Sequence, residues 1–217
     1  PIEHPRMELQ WVRRLLARLI YARYSSGSLD TAGLSVPDRE IAEYLGWTRT
    51  EIGPLLPLED SIDVARTLID RSVELSLQAG VELRMPVFAH TWKLSELELR
   101  ILVVLAAREL DPRCARAFCY AWNDFKRRLP TVGFVSELLG WQSQDAFDEI
   151  VRSLLPSSVL VRSGLVVLSD PEPDQELSVL DRPVQIAQRV VLHLIGVDDL
   201  DERLAGVCTL VSPTAAE

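Results

Sequence analysis

The sequence predicts a mainly α fold in which a helical amino-terminal part is followed by helices that close on a small β-hairpin, with one more helix after it. Three observations carry that expectation. Apolar residues recur at helical spacing from Met7 to Leu155, helix-start signals are written twice between Leu94 and Pro112, and the period changes after Leu155, where two short aliphatic runs flank a turn. The chain divides into a helical region over 1–90, a helix-and-hairpin domain over 91–170, and a loop, carboxy-terminal helix and linker over 171–217.

Met7 to Tyr24 is the first helix: Val12, Leu15, Leu16, Leu19 and Ile20 share a face, and Arg13, Arg14, Arg18 and Arg23 fall largely outside it. A basic amphipathic helix can bind membranes or acidic partners. Without the exposed aromatics of a dedicated membrane helix, this one reads as a surface helix with solvated arginines. Ser25-Ser26-Gly27-Ser28 follows as a flexible connection. Ser35 to Leu45 is a short helix with Pro37 and Asp38 in its first turn and Gly46 at its exit, followed by Trp47. The same grammar returns at Leu138-Leu139-Gly140-Trp141. It reads as a repeated helix-stop device with the Trp packed back on the preceding turn, and a duplicated helix-turn-helix unit is the rival. Ser61 to Gln78 is a long helix capped by Asp60 or Ser61 and ended by Gly80. Val81 to Thr91 is ambiguous, apolar enough for a core yet carrying Pro86, which breaks or kinks a helix begun earlier.

Ser95 with Glu98 is a capping box, each side chain answering a free backbone N–H, and Leu94 and Leu99 are placed to staple across that turn. The residues from 97 to 107 leave almost no polar face, so this is the expected core helix. Asp111-Pro112 is a second start, a capping carboxylate before a proline whose missing N–H costs nothing there. The helix from Pro112 to Arg128 turns Ala115, Phe118, Cys119, Trp122 and Phe125 inward and ends in Lys126-Arg127-Arg128, cations suited to a helix carboxy terminus. Pro130 stops it, Thr131 caps a short helix ending at Gly140, and Ser143 or Asp145 begins the next, with Ile150, Val151, Leu154 and Leu155 in its stripe. Val159 to Val161 and Leu165 to Leu168, separated by Arg162-Ser163-Gly164, form the expected hairpin. Helices followed by a two-stranded hairpin form the order a winged-helix domain requires. Asp170-Pro171-Glu172-Pro173-Asp174 is an acidic loop, Pro183 to Ile195 a last amphipathic helix, and the tail from Val197 a linker.

The totals restrict function. At 217 residues, 47% hydrophobic and 25% charged, the chain has an ordinary globular composition. Its longest apolar run falls far short of the ~20 residues a bilayer span requires, and it lacks a signal peptide's charged-then-apolar order. A soluble, cytoplasmic protein is expected. Cys114, Cys119 and Cys208 have no zinc-like spacing and read as reduced, mostly buried thiols. A net charge of −9 makes nucleic acid an unlikely main partner, because neutralising phosphates needs a surplus of Lys and Arg. Lysine occurs only at Lys93 and Lys126, neither after glycine, so no Walker A loop is present and ATP hydrolysis by that route is not expected. The three histidines show no metal-binding spacing, and the serines at 35, 95 and 143 are best placed as caps. The opening Pro1-Ile2-Glu3 has no initiator methionine and reads as a piece of a longer protein.

The segment from Leu94 to Gly133 carries a resemblance. Its Leu94-Ser95-x-x-Glu98, the apolar helix, Glu109-Leu110-Asp111-Pro112-Arg113, Tyr120 with Asp124, and Arg127-Arg128-Leu129-Pro130-Thr131-Val132 resemble the region ahead of the ATPase domain in bacterial AAA+ ATPases, many encoded beside contractile injection systems. That region is a winged-helix variant. Gly33 to Ile41 is similar to the Gly-Leu-Tyr-Ile-Ser-Asp-Glu-Glu-Val segment such proteins carry, and the resemblance covers roughly residues 30 to 196. The departure is the nucleotide-binding half, which is missing. The resemblance implies a non-catalytic accessory region with no cofactor of its own, ATP and Mg belonging to the parent. It implies as partners the parent's ATPase domain, neighbouring subunits of a ring, or a further protein.

Glu109, Asp111, Arg113, Asp124, Arg127, Arg128 and Thr131 are the candidate contact residues, and the competing reading of the charged ones is intramolecular, as pairs that fix helix geometry. The rival function is a DNA-binding winged helix, with the helix from Ser143 to Leu155 in the major groove and the Arg162 turn as the wing. It fares poorly because that helix carries Asp145, Asp148 and Glu149 against a single Arg152.

Overall fold

The computed structural model describes residues 3–27, 38–47, 58–122, 129–141, 143–169, 177–198 and 207. Within them the order is α1 (Glu3–Ser25), α2 (Asp38–Leu45), α3 (Leu58–Gln78), α4 (Arg84–Trp92), α5 (Glu96–Leu110), α6 (Pro112–Trp122), α7 (Val132–Leu139), α8 (Gln144–Ser153), α9 (Val159–Arg162), β1 (Val166–Leu168), β2 (Val184–Ile186) and α10 (Gln188–Leu194), with a 3-10 turn at Val179–Asp181 before β2. The fold is therefore mainly α with a small antiparallel sheet, as the periodicity predicts. Tyr24-side linker residues 28–37, the basic run 123–128, the acidic loop 170–176 and most of the tail lie outside the described residues.

Two helices make the centre. In α5 all seven residues from Ile101 to Ala107 are buried, which a helix can achieve only when neighbours cover every side. Its start is the predicted capping box: Glu98 N donates to Ser95 Oγ at 3.2 Å and Ser95 N donates to Glu98 Oε2 at 2.8 Å. The other is α1, expected as a surface helix and found in the core. It buries Trp11, Val12, Leu15, Leu16, Leu19 and Ile20 and packs on α2, α3, α5, α6 and α7. The sequence misled because arginine looks like a solvent residue. Arg18 is only 8% exposed; its guanidinium lies 4.7 Å from the Trp141 ring and donates to Leu138 O at 2.7 Å. Helices of the first ninety residues and those that follow share one hydrophobic cluster.

Several boundaries move. The long helix α3 begins at Leu58, so Asp60 and Ser61 lie within its first turn instead of capping it; an acidic residue is also favourable there against the free N–H groups. Pro86 resolves the ambiguous stretch by sitting in the first turn of α4, where no backbone N–H is needed. In α6 the inward residues are Cys114, Ala117, Phe118, Tyr120 and Ala121; Ala115, Cys119 and Trp122 are only partly covered, because α1, α2 and α5 all press on this helix from a rotated direction.

The hairpin is the largest correction. Val159 to Val161, read as its first strand, lies in the helical turn α9, started by Ser158, whose Oγ accepts from Val161 N. Three aliphatic residues are too few for periodicity to separate strand from helix. The true partner of β1 is β2, with Val166 opposite Ile186 and Leu168 opposite Val184. That strand was read as the start of the last helix, which in fact begins only at Gln188. Pro183 leads into β2 from an edge position, and Val184 and Ile186 face the core. A third edge is vestigial: Thr131 bridges Pro183, Val184 N donates to Pro130 O at 2.7 Å, and Val132 N donates to Arg182 O at 3.0 Å.

The two Gly-Trp stops are physically different. Gly46 sits at φ +77°, and Trp47 N donates to Ala42 O at 2.8 Å, the six-to-one bond of a helix stop that needs a left-handed residue. Gly140 has φ −85°, so conformation does not demand glycine; space does, since a Cβ there would lie 2.7 Å from both Phe147 N and Ser136 O. Gly46→Ala is expected to cost about 1–2 kcal/mol, the left-handed penalty, and Gly46→Asn to recover most of it. Gly140→Ala is expected to cost about 1–3 kcal/mol from overpacking, with Gly140→Asn no better. Urea unfolding midpoints of the four variants check both orders.

Candidate interaction surface

Helix α7 packs on α8 and on the 3-10 turn that leads into β2. Thr131 caps α7 by accepting from Phe134 N at 3.2 Å, and α7 buries Val132, Phe134, Val135 and Leu138. Phe134 stacks with Phe118 and Trp122, with centroids 5.2 and 4.4 Å away, which fixes α7 on α6. Ser143, the predicted cap, accepts from Ala146 N at 3.3 Å and starts α8. That helix turns Ile150 and Leu154 inward and leaves Gln144, Asp145, Glu149 and Arg152 exposed, while Gln144 Nε2 donates to Asp148 Oδ1 at 2.7 Å.

The connection from β1 to β2 occupies the wing's place in the chain. Its sequence holds Asp170, Glu172, Asp174, Glu176 and Asp181 against Arg182 alone. The described part exposes Leu177, Val179 and Leu180 next to Asp181. Leu180 lies close on α7: a Cβ on Gly133 would be 3.0 Å from Leu180 O. Acidic groups and exposed aliphatic side chains therefore occur together here, a composition suited to a protein surface bearing basic and apolar groups and repellent to phosphates.

The predicted contact residues fall in two places. Glu109 pairs with neighbouring Arg108, and Asp111 Oδ1 accepts from Arg113 N at 2.9 Å, the expected cap of α6. The Arg113 guanidinium lies 5.4 Å from the Tyr44 ring, and Arg116 Nε is 3.0 Å from Glu40 Oε1, so this corner meets α2. Thr131 belongs instead to the junction with Pro183. Asp124, Arg127 and Arg128 lie outside the described residues. Beside the corner, burial pushes the Cys114 thiol up to about 12 and raises the Tyr44 phenol with which it is hydrogen-bonded. Both are neutral, and Cys114 is no nucleophile at ordinary pH.

Sequence reasoning missed the charged groups that join distant segments. Arg66 donates to both oxygens of Glu8, at 2.9 and 3.1 Å, and to Asp70 at 3.0 Å, over the Trp11 ring at 5.4 Å. Glu8 is 4% exposed. Arg23 pairs with Glu137 and donates to Ala121 O. The four-residue spacings of His4 with Glu8 and Arg66 with Asp70 were visible, but nothing local signals the link between them. Among the described residues no cluster of His, Cys, Asp or Glu is arranged to hold a metal, and no helix is long and apolar enough to cross a membrane.

A family model described as a winged helix domain, variant, matches residues 1–208. No curated protein and no solved structure matches the chain.

His4, only 6% exposed, gives this core a pH signature. Burial holds its imidazole below the ordinary 6.5, Glu8 opposing and Arg66 assisting. The unfolded chain therefore takes up the proton more readily, so His4's contribution to stability is complete above 6.5 and is lost as pH falls through that value toward the folded pKa. His4→Gln is expected to flatten this part of the stability profile, read from urea midpoints on both sides of pH 6.5.

Proposed function

Because the chain belongs to the winged helix domain variant family, whose model covers nearly all of it, we propose that it is a non-catalytic contact module of a larger AAA+ ATPase, binding protein through two acidic segments, α8 and the β1–β2 connection. The acidity of those two segments carries the reading. In a winged helix that reads DNA, the second helix of the pair and the wing approach phosphates. Here α8 offers Asp145, Asp148 and Glu149 against Arg152, and the connection adds five carboxylates against one arginine. Placing them on a duplex would set like charges together without releasing counterions. A winged helix alone does not choose between DNA and protein, and the excess of carboxylates in α8 and in the sequence of the connection is what supports protein.

The ATPase parent rests on the resemblance of Leu94 to Val132, and the chain lacks the Gly-Lys-Ser/Thr string needed to hold a nucleotide's phosphates. The partners that fit are the parent's ATPase domain, neighbouring subunits of a ring, or another protein with a basic surface. The test of the parent is the coding sequence downstream of Glu217: a Walker A motif in strand-to-helix context supports it, and a different domain there overturns it.

Two solution measurements test the module. The purified chain is expected not to hydrolyse ATP, and turnover would overturn the non-catalytic reading. In a low-salt gel shift with duplex DNA no complex is expected, whereas Asp145→Lys with Glu149→Lys is expected to create weak, salt-sensitive binding. Tight salt-dependent binding by the unaltered chain would favour the DNA-reading alternative.

A further inference from the structure

Helices α1, α4, α5 and α10 leave a cavity of about 120 Å³ between them. It exists because α5 presents Ala106 and Ala107 there, too small to fill the gap that Leu83, Met85, Val103 and Leu194 surround. Exposed Glu82 and Arg84 stand at the rim. The space is of the order of one aromatic ring: cavities of about 150 Å³ lined by aliphatic side chains stay dry and take up benzene.

One wall is polar. His4 lines the cavity and is more than nine-tenths buried, yet its nearest ionic neighbour, Glu8 Oε1, is 3.7 Å from Nε2, beyond hydrogen-bond length. Both Glu8 oxygens accept from Arg66. Among the described residues the imidazole makes no hydrogen bond, so its ring nitrogens can bond a polar group that enters the cavity. We propose that this cavity is a binding site for a single phenolic ring, its aliphatic walls packing on the ring and His4 hydrogen-bonding the hydroxyl.

The pairing follows from the chemistry of the two groups. The uncharged imidazole expected from His4's burial has one donor and one acceptor nitrogen, and a phenol hydroxyl both donates and accepts. A hydrocarbon of the same size fills the cavity but leaves His4 unanswered. An aromatic carboxylate meets Glu8 and Glu82. The ring can be that of a small free phenol or of a tyrosine side chain, and the site does not depend on the function proposed for α8.

The test titrates the whole chain, with labelled methionine methyls, against p-cresol, toluene and N-acetyltyrosinamide. The expected result is a saturable shift of the Met85 methyl by p-cresol, with affinity about tenfold above toluene, the size of one net hydrogen bond. His4→Phe is expected to bring the two affinities together, and Ala106→Leu to abolish both. N-acetyltyrosinamide binding beside p-cresol assigns the site to a tyrosine side chain, and p-cresol binding alone assigns it to a free phenol. In the unaltered chain, absence of a saturable p-cresol shift, or toluene binding as tightly as p-cresol, overturns the proposal whatever the variants do.

Discussion

Arg18 and Arg23 of α1 reach across the fold to carbonyls at helix ends, and the rest of the architecture depends on that reach. Arg18 donates to Leu138 O in the last turn of α7, and Arg23 to Ala121 O in the last described turn of α6. The final carbonyls of a helix have no partner within it, and they lie at the negative end of its dipole. An arginine from another helix answers both needs, while its stem covers apolar surface on the way. The first helix thus supplies caps to the helices that carry the ribbon and α8, and its apolar face fills the space beneath them.

This explains which parts of the molecule could be read in advance. The capping box at Ser95, the caps at Asp111, Thr131 and Ser143, and the buried run of α5 are local signals, fixed by residues three or four apart. Sequence reasoning finds them because their physics is local. The place of α1 is not a local property: its arginines look like solvent residues until Leu138 and Glu137 come to meet them. The ribbon fails for a related reason. β2 is three residues long and pairs across a connection to β1, so no periodicity marks it, and Val184 and Ile186 also fit the apolar spacing of the helix that follows. The buried Glu8–Arg66 pair joins α1 to α3 and has no signature in either helix alone.

The candidate face shows the same division. That α8 is acidic could be read directly, whereas the place of the acidic segment between β1 and β2 needed the corrected strand pairing. With the ribbon between Val166 and Ile186, the acidic proline-rich segment, read as a loop before a last helix, falls in the chain between the two paired strands. The charge argument against phosphates then applies to two segments of the sequence instead of one. The corner at Asp111 and Arg113, by contrast, engages α2 through Tyr44 and the neighbouring Arg116–Glu40 pair.

The role of α1 is open to a direct measurement: urea unfolding of a fragment spanning residues 91–198 beside the whole chain. Without α1 the fragment loses the donors to Leu138 O and Ala121 O and exposes the surfaces of α5, α6 and α7 that Leu16, Leu19 and Ile20 help bury. It is expected to unfold gradually, without the sharp transition of the whole chain. A fragment that unfolds in one sharp step at the whole chain's midpoint would contradict the dependence of the ribbon-bearing helices on α1.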